Sequence, residues 1–315
     1  MSPSPLCRPF AVRICIVLVL FCGLTSSVTL QAQRFVDRGF ITNPLFNIAA
    51  DTEMDGPQFL PGGNAFGELF YTLDDTVQAW SQRLLYTAEL VRFSADQTLS
   101  FNTNLEFVAD PNNSINFNPR AIWFEENFLY TQRQAGWLWQ LGYNHRCKHD
   151  LDNLTQNEQR GLIYGSVSGR IIATLGDEVR PDLAAALRAD VYTLLADDRL
   201  PGIAEESGLD YENLAAGLSF SAHWHGGAGS VGFYARTQSS LNFFGTETGF
   251  SGRLGSIAHA RWSGDIEAGL EIRGASLMHI GARLEHFHDA EINPVPGKQT
   301  AFSIGVRIFA PGGFL

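Results

Sequence analysis

The chain has 315 residues, 45% hydrophobic and 17% charged, and its 33 acidic side chains against 22 Lys+Arg give a net charge of −11 at pH 7. That balance excludes a general affinity for nucleic acid, whose phosphates call for a basic face. Beyond residue 32 no stretch supplies the roughly 18 consecutive apolar residues of a transmembrane helix, so a helical membrane protein is excluded as well.

Residues 1–32 read as a secretory signal peptide. Arg8 and Arg13 precede an apolar run from Ile14 to Leu24, a more polar stretch follows, and cleavage is expected after Ala32. Phe21 is too large for the position before a lipidated Cys22, so no acyl anchor is expected. Export removes Cys7, Cys15 and Cys22 and leaves Cys147 alone, which rules out an intramolecular disulfide. It also removes two arginines and no acids, taking 22 Lys+Arg to 20 against 33 acids, a net charge of −13.

Residues 33–64 carry proline, glycine and acids without clear alternation, and read as a periplasmic or lumen-plugging segment. Residues 65–315 alternate apolar and polar side chains over about ten residues at a time, the period of a strand with one apolar face. In Leu99 to Phe107, Leu99, Phe101, Leu105 and Phe107 oppose Ser100, Asn102, Asn104 and Glu106. In chain order the candidate strands are Arg83 to Phe93, Leu99 to Phe107, Arg120 to Thr131, Trp137 to Cys147, Leu162 to Thr174 and Leu183 to Leu195. Leu214 to Trp224, Ser230 to Phe243, Arg253 to Trp262, Ile266 to Arg273, Met278 to His286 and Ala301 to Phe309 follow. Ala65 to Leu73 is a further candidate, and Gly264-Asp265 reads as a tight turn.

The pattern predicts an all-β fold, an antiparallel transmembrane β-barrel of about 12 strands (12 to 14), in preference to a soluble sandwich. Closure satisfies every backbone group inside lipid, which an open sheet cannot do. Trp80, Trp123, Trp137, Trp139, Trp224 and Trp262 are expected in the interfacial girdles. The inward faces carry both signs, at Arg83, Glu89, Arg170, Arg188, Asp190, Arg236, Glu267, Glu271, Arg273, Arg283, Glu285 and Arg307. Such a set is expected to cross-link into a filled lumen with a narrow passage at most. The ending TAFSIGVRIF resembles the last strand of bacterial outer-membrane barrels, with Phe309 as its closing aromatic and a short tail beyond. That resemblance implies a bacterial outer membrane, with membrane lipids and the barrel-assembly machinery as partners.

The stretch YNHRCKHDLDN, Tyr143 to Asn153, concentrates reactive side chains. Alternation puts Tyr143, His145, Cys147 and His149 on the lipid-facing side, with Arg146, Lys148 and Asp150 on the other. His145-Arg146-Cys147 resembles the His-x-Ser pair on the outer wall of outer-membrane phospholipase A and lipid A deacylase, with a thiol in place of the hydroxyl. The resemblance implies His145 as general base, Cys147 as nucleophile, and Asn153 or Asn157 as the third member. The longer run His-x-Cys-x-His-x-x-Asp, from His145 to Asp152, also resembles a string found in uncharacterised bacterial barrels.

A metal reading competes, with His145, His149 and Asp152 as ligands of a divalent cation; otherwise no cofactor is expected. Along a strand, residues four apart stand about 13 to 14 Å apart, so a bulge or turn would have to bring the two histidines together. The plainest reading is a polar strand end. His223-Trp224-His225 and His286-Phe287-His288 end strands the same way, with His223 and His225 expected inward and His286 and His288 outward. Two functional expectations result: an outer-membrane barrel with a structural or small-solute transport role, or a lipid esterase or deacylase acting through the His/Cys pair.

Overall fold

The computed structural model describes residues 53–73, 75, 79–110, 118–134, 137–150, 161–176, 181–197, 213–286 and 300–310. The expected signal peptide, Asp152, Asn153, Asn157 and His288 lie outside these residues. Thirteen strands are described: β1 (Gln58–Phe59), β2 (Gly63–Thr72), β3 (Trp80–Ser94), β4 (Gln97–Asp110), β5 (Asn118–Gln134), β6 (Trp137–Asp150), β7 (Gly161–Gly176), β8 (Pro181–Asp197), β9 (Leu214–Gly226), β10 (Val231–Gly245), β11 (Ile257–Arg273), β12 (Leu277–His286) and β13 (Thr300–Phe309). One short helix, α1 (Phe250–Gly255), joins β10 to β11. No described helix is long and apolar enough to cross a membrane.

Strands β2 to β13 each pair antiparallel with their chain neighbours, and β13 pairs with β2, from Ser303↔Thr72 to Phe309↔Phe66. That last ladder closes a twelve-stranded barrel. The small β1 extends the edge of β2 along β3, with Gln58 opposite Arg92. The chain breaks between β1 and β2 at Leu60, whose φ is 49°. Of the segment 33–64, residues 53–64 are described, and Met54 packs on an apolar cluster of Ala95, Leu138, Ile172, Ala184 and Ala186.

The two ends differ. β3 and β4 are separated by residues 95–96, β9 and β10 by 227–230, and β11 and β12 by 274–276, all at the end where β2 begins and β13 finishes. The opposite end carries the longer connections, including 198–213 and 287–299. Short turns at one end and long loops at the other are the usual asymmetry of outer-membrane barrels.

Alternation sorts the side chains as the period of two requires. Leu84, Phe128, Leu141, Val167, Ile171, Leu187, Ile266 and Leu284 point outward and are exposed, while Arg83, Asn102, Glu125, Arg146, Arg236, Glu267 and Arg307 are buried inside. The interior is therefore polar and the surface apolar, the reverse of a soluble sandwich and the arrangement that lipid favours. The lumen is knitted by charge. Arg307 donates to Glu68 Oε2 at 2.7 Å and to Glu267 Oε1 at 2.9 Å, Arg236 reaches Asp265 at 3.3 Å, and Arg83 donates to Asn104 at 2.8 Å. A gap lined by Arg83, Asn102, Glu125, Gln140 and Arg188 holds only ≈ 30 Å³, room for a water or two.

Three expectations need correction. Gly264-Asp265 is not a turn but lies inside β11, which runs unbroken from Ile257 to Arg273. Asp265 is held in the lumen by Arg236, and a Cβ at Gly264 would meet the Trp262 ring at 2.9 Å, so both residues answer to packing rather than to chain reversal. Arg253 to Trp262 and Ile266 to Arg273 are consequently one strand preceded by α1, and Ala65 to Leu73 supplies the twelfth. Trp123 is no girdle residue: it is 1% exposed in the lumen, with the Arg146 guanidinium 5.8 Å from its ring centre. The other five tryptophans face outward. Trp80 packs on Tyr71 at 4.7 Å near the long-loop end, and Trp139 packs on Tyr130 at 5.5 Å near the short-turn end.

Candidate functional site on the outer wall

The register of β5, β6 and β7 builds the site. His145 stands opposite Glu126 on β5 and Gly165 on β7, and Cys147 stands opposite Phe124 and Ile163. Glu126, His145 and Cys147 all project outward, because their chain neighbours Glu125, Arg146 and Lys148 are buried in the lumen. His145 Nδ1 lies 3.2 Å from Glu126 Oε2, with side chains 33% and 50% exposed. With Nδ1 facing a carboxylate, the ring carries its proton there and leaves Nε2 as the basic nitrogen.

The surroundings are apolar. Phe128 and Tyr143 form the row on the short-turn side, and the Phe124 ring meets the His149 ring edge-on at 6.1 Å on the long-loop side. Beside His145, the Tyr143 hydroxyl lies over Gly165, where any Cβ would collide with it. A carboxylate and an imidazole on a lipid-facing wall lose hydration, so such residues mark function more often than structure. The strands are long enough to put them at the headgroups: β5 has 17 residues, whereas spanning takes about 9–11.

Of the residues expected to act, His145 and Cys147 share one outward face, and Cys147 is a free, half-buried thiol. His149 is on the same face and exposed. Asn153, proposed as third member, and Asp152, proposed as a metal ligand, are outside the described residues. The sequence reading missed Glu126. Its signal was present: a lone charge in the outward series Phe124, Glu126, Phe128. The other strand-end histidines separate by wall side. His223 is buried inside, His225 bonds Glu271 inside, and His286 faces outward, stacked on Trp262 at 5.3 Å.

No protein-family model matches the chain, and no curated protein matches it. Among solved structures, outer membrane phospholipase A from Escherichia coli is similar at 14% identity, covering 79% of this chain and 97% of that one, with a TM-score of 0.45. The Salmonella typhi outer membrane phospholipase, a dimer with bound calcium, is similar at 13% identity over 84% and 95%, with a TM-score of 0.45. LpxR from Salmonella typhimurium is similar at 8% identity over 79% and 99%, with a TM-score of 0.43.

Proposed function

We propose that this barrel resides in a bacterial outer membrane and hydrolyses an acyl ester of a membrane lipid. Cys147 is the nucleophile, His145 the general base, and Glu126 the carboxylate that orients His145. The observation that carries the reading is the 3.2 Å contact between His145 Nδ1 and Glu126 Oε2 on the lipid-facing wall, with Cys147 two residues further along that face.

In the first step the Cys147 thiol passes its proton to His145 Nε2 as the sulfur attacks the ester carbonyl. Glu126 holds the Nδ1 proton and stabilises the imidazolium. The C–O bond then breaks, His145 protonates the departing alkoxide, and an acyl thioester remains on Cys147. Water, deprotonated by His145, attacks the thioester and releases the fatty acid, and the thiolate takes back the proton from His145. Lipid tails reach the wall directly, so the substrate is presented by the bilayer itself. A solute path has less support, since ion pairs tie lumen-facing side chains of nearby strands together, as Arg307 of β13 does with Glu68 of β2 and Glu267 of β11.

The test is fatty-acid release from phospholipid vesicles carrying the refolded full chain. Release should be lost in Cys147→Ala and in His145→Ala. A folded wild-type barrel that releases no fatty acid above protein-free vesicles overturns the reading.

A further inference from the structure

Inside the barrel, a second histidine cluster has a different geometry. His225 ends β9, Glu271 lies near the end of β11 and His279 near the start of β12, all at the short-turn mouth. His225 Nδ1 and His279 Nε2 stand 2.5 Å and 3.0 Å from the same oxygen, Glu271 Oε2. Their ligand atoms all lie within 4.8 Å of one another. The side chains are 10%, 6% and 2% exposed for His225, His279 and Glu271, so the cluster is shielded from bulk water.

We propose that His225, Glu271 and His279 form a three-ligand site for a divalent transition metal of the zinc class. Two imidazole nitrogens and one carboxylate oxygen suit a borderline-soft ion, whereas calcium and magnesium want oxygen alone. Zinc ligated at about 2.0–2.1 Å in a tetrahedron has donor atoms about 3.4 Å apart. The His279–Glu271 distance is already close to that, and the His225–Glu271 distance needs to open by about 1 Å. The metal takes the place of the two ring contacts to Glu271 Oε2, each neutral imidazole then carrying its single proton on its far nitrogen, His225 Nε2 or His279 Nδ1, and solvent supplies the fourth position.

The surroundings hold these ligands. Arg273 Nε binds the other carboxylate oxygen, Glu271 Oε1, at 2.5 Å, which leaves Oε2 as the single oxygen aimed at both rings. The His279 ring is stacked on Tyr234, with centres 3.8 Å apart and planes 13° apart, and its edge meets Phe309 at 4.9 Å. His225 Nε2 and His279 Nδ1 make no hydrogen bond, so neither ring is committed to another partner through its far nitrogen. Because β9 and β11 are separated by β10, one ion ties together strands that the backbone ladder does not join.

The experiment is a Co²⁺ titration, after chelator treatment, of the full chain refolded in detergent. One equivalent of Co²⁺ should produce the visible absorption of a nitrogen- and oxygen-bound ion of low coordination number, and Zn²⁺ should abolish it. His225→Ala and His279→Ala should each raise the dissociation constant roughly 100-fold or more, while the outer-wall double variant His145→Ala/His149→Ala leaves it unchanged. Folding is checked by the heat-dependent gel migration of the barrel. Glu271→Gln, which keeps the shape, replaces any alanine variant that does not fold. No Co²⁺ absorption in the folded wild type overturns the proposal. So does absorption that survives in both histidine variants or disappears in the outer-wall variant.

Discussion

The barrel presents two histidine–carboxylate clusters on opposite sides of one wall, and their contrast shows how side decides chemistry. Outside, one carboxylate serves one ring: Glu126 holds His145 Nδ1, and Cys147 stands next on the same face. Inside, one carboxylate oxygen receives two rings while Arg273 occupies its partner oxygen. The outer arrangement leaves a basic nitrogen and a thiol facing lipid, which suits proton transfer. The inner one gathers two ring nitrogens and a carboxylate oxygen within 4.8 Å of one another, which suits a cation once the rings hold their protons on their far nitrogens.

The contrast breaks first at the thiol. Cys147→Ala should lower fatty-acid release by about 10⁶-fold, the scale of losing the nucleophile of such a unit, and leave Co²⁺ binding unchanged. Loss of both would mean that the two clusters are one system. Next is Glu126→Gln, which keeps the contact but removes the charge that stabilises the imidazolium. A drop in kcat of about 10²- to 10⁴-fold with little change in KM is expected, measured on vesicles of fixed composition. An unchanged kcat would reduce Glu126 to a bystander.

The charge layer beside the inner cluster, where Arg307 stands opposite His279, gives the third test. Arg307→Ala leaves Glu68 and Glu267 facing each other in the lumen after losing bonds of 2.7 Å and 2.9 Å. Breaking such a buried pair costs about 3–5 kcal/mol, read as a lower urea midpoint of the refolded barrel. Turnover per folded molecule should not move, because the outer wall takes its geometry from the ladders of β5, β6 and β7. A fall in turnover at constant folded fraction would couple lumen to surface.

Where the sequence was legible, the reason is periodicity. Lumen and lipid demand opposite residue types, so alternation in Leu99 to Phe107 or around Arg146 fixes each residue's side without knowledge of partners. Residue type alone misled twice. Trp123 was expected in a girdle because tryptophan favours interfaces, yet its position in the series with Glu125 turns it inward onto Arg146. Gly264-Asp265 has the chemistry of a turn, but Asp265 finds Arg236 on the neighbouring strand and Gly264 makes room for the Trp262 ring. The facing of His145 and Cys147 followed from the chain, whereas Glu126, 19 residues earlier, needed the strand register. His225, Glu271 and His279 were further from reach, since they come together only across β10 and by barrel curvature.

The smallest expected effect tests what positions the inner carboxylate. Arg273 binds Glu271 Oε1 and also donates to the carbonyls of Gly227 at 3.1 Å and Gly226 at 3.2 Å, so it fixes Glu271 relative to the β9–β10 turn that follows His225. Arg273→Ala keeps all three metal ligands and should weaken Co²⁺ binding by only about 10- to 100-fold, as loss of an outer-shell partner does. Freed of Arg273, Oε1 becomes available to the ion, and a second bound oxygen raises the coordination number and weakens the visible absorption. A merely structural role for Arg273 would lower the urea midpoint but leave that absorption as it is in the wild type. A changed spectrum at an unchanged midpoint would instead identify Arg273 as the residue that keeps one oxygen of Glu271 for the two histidines.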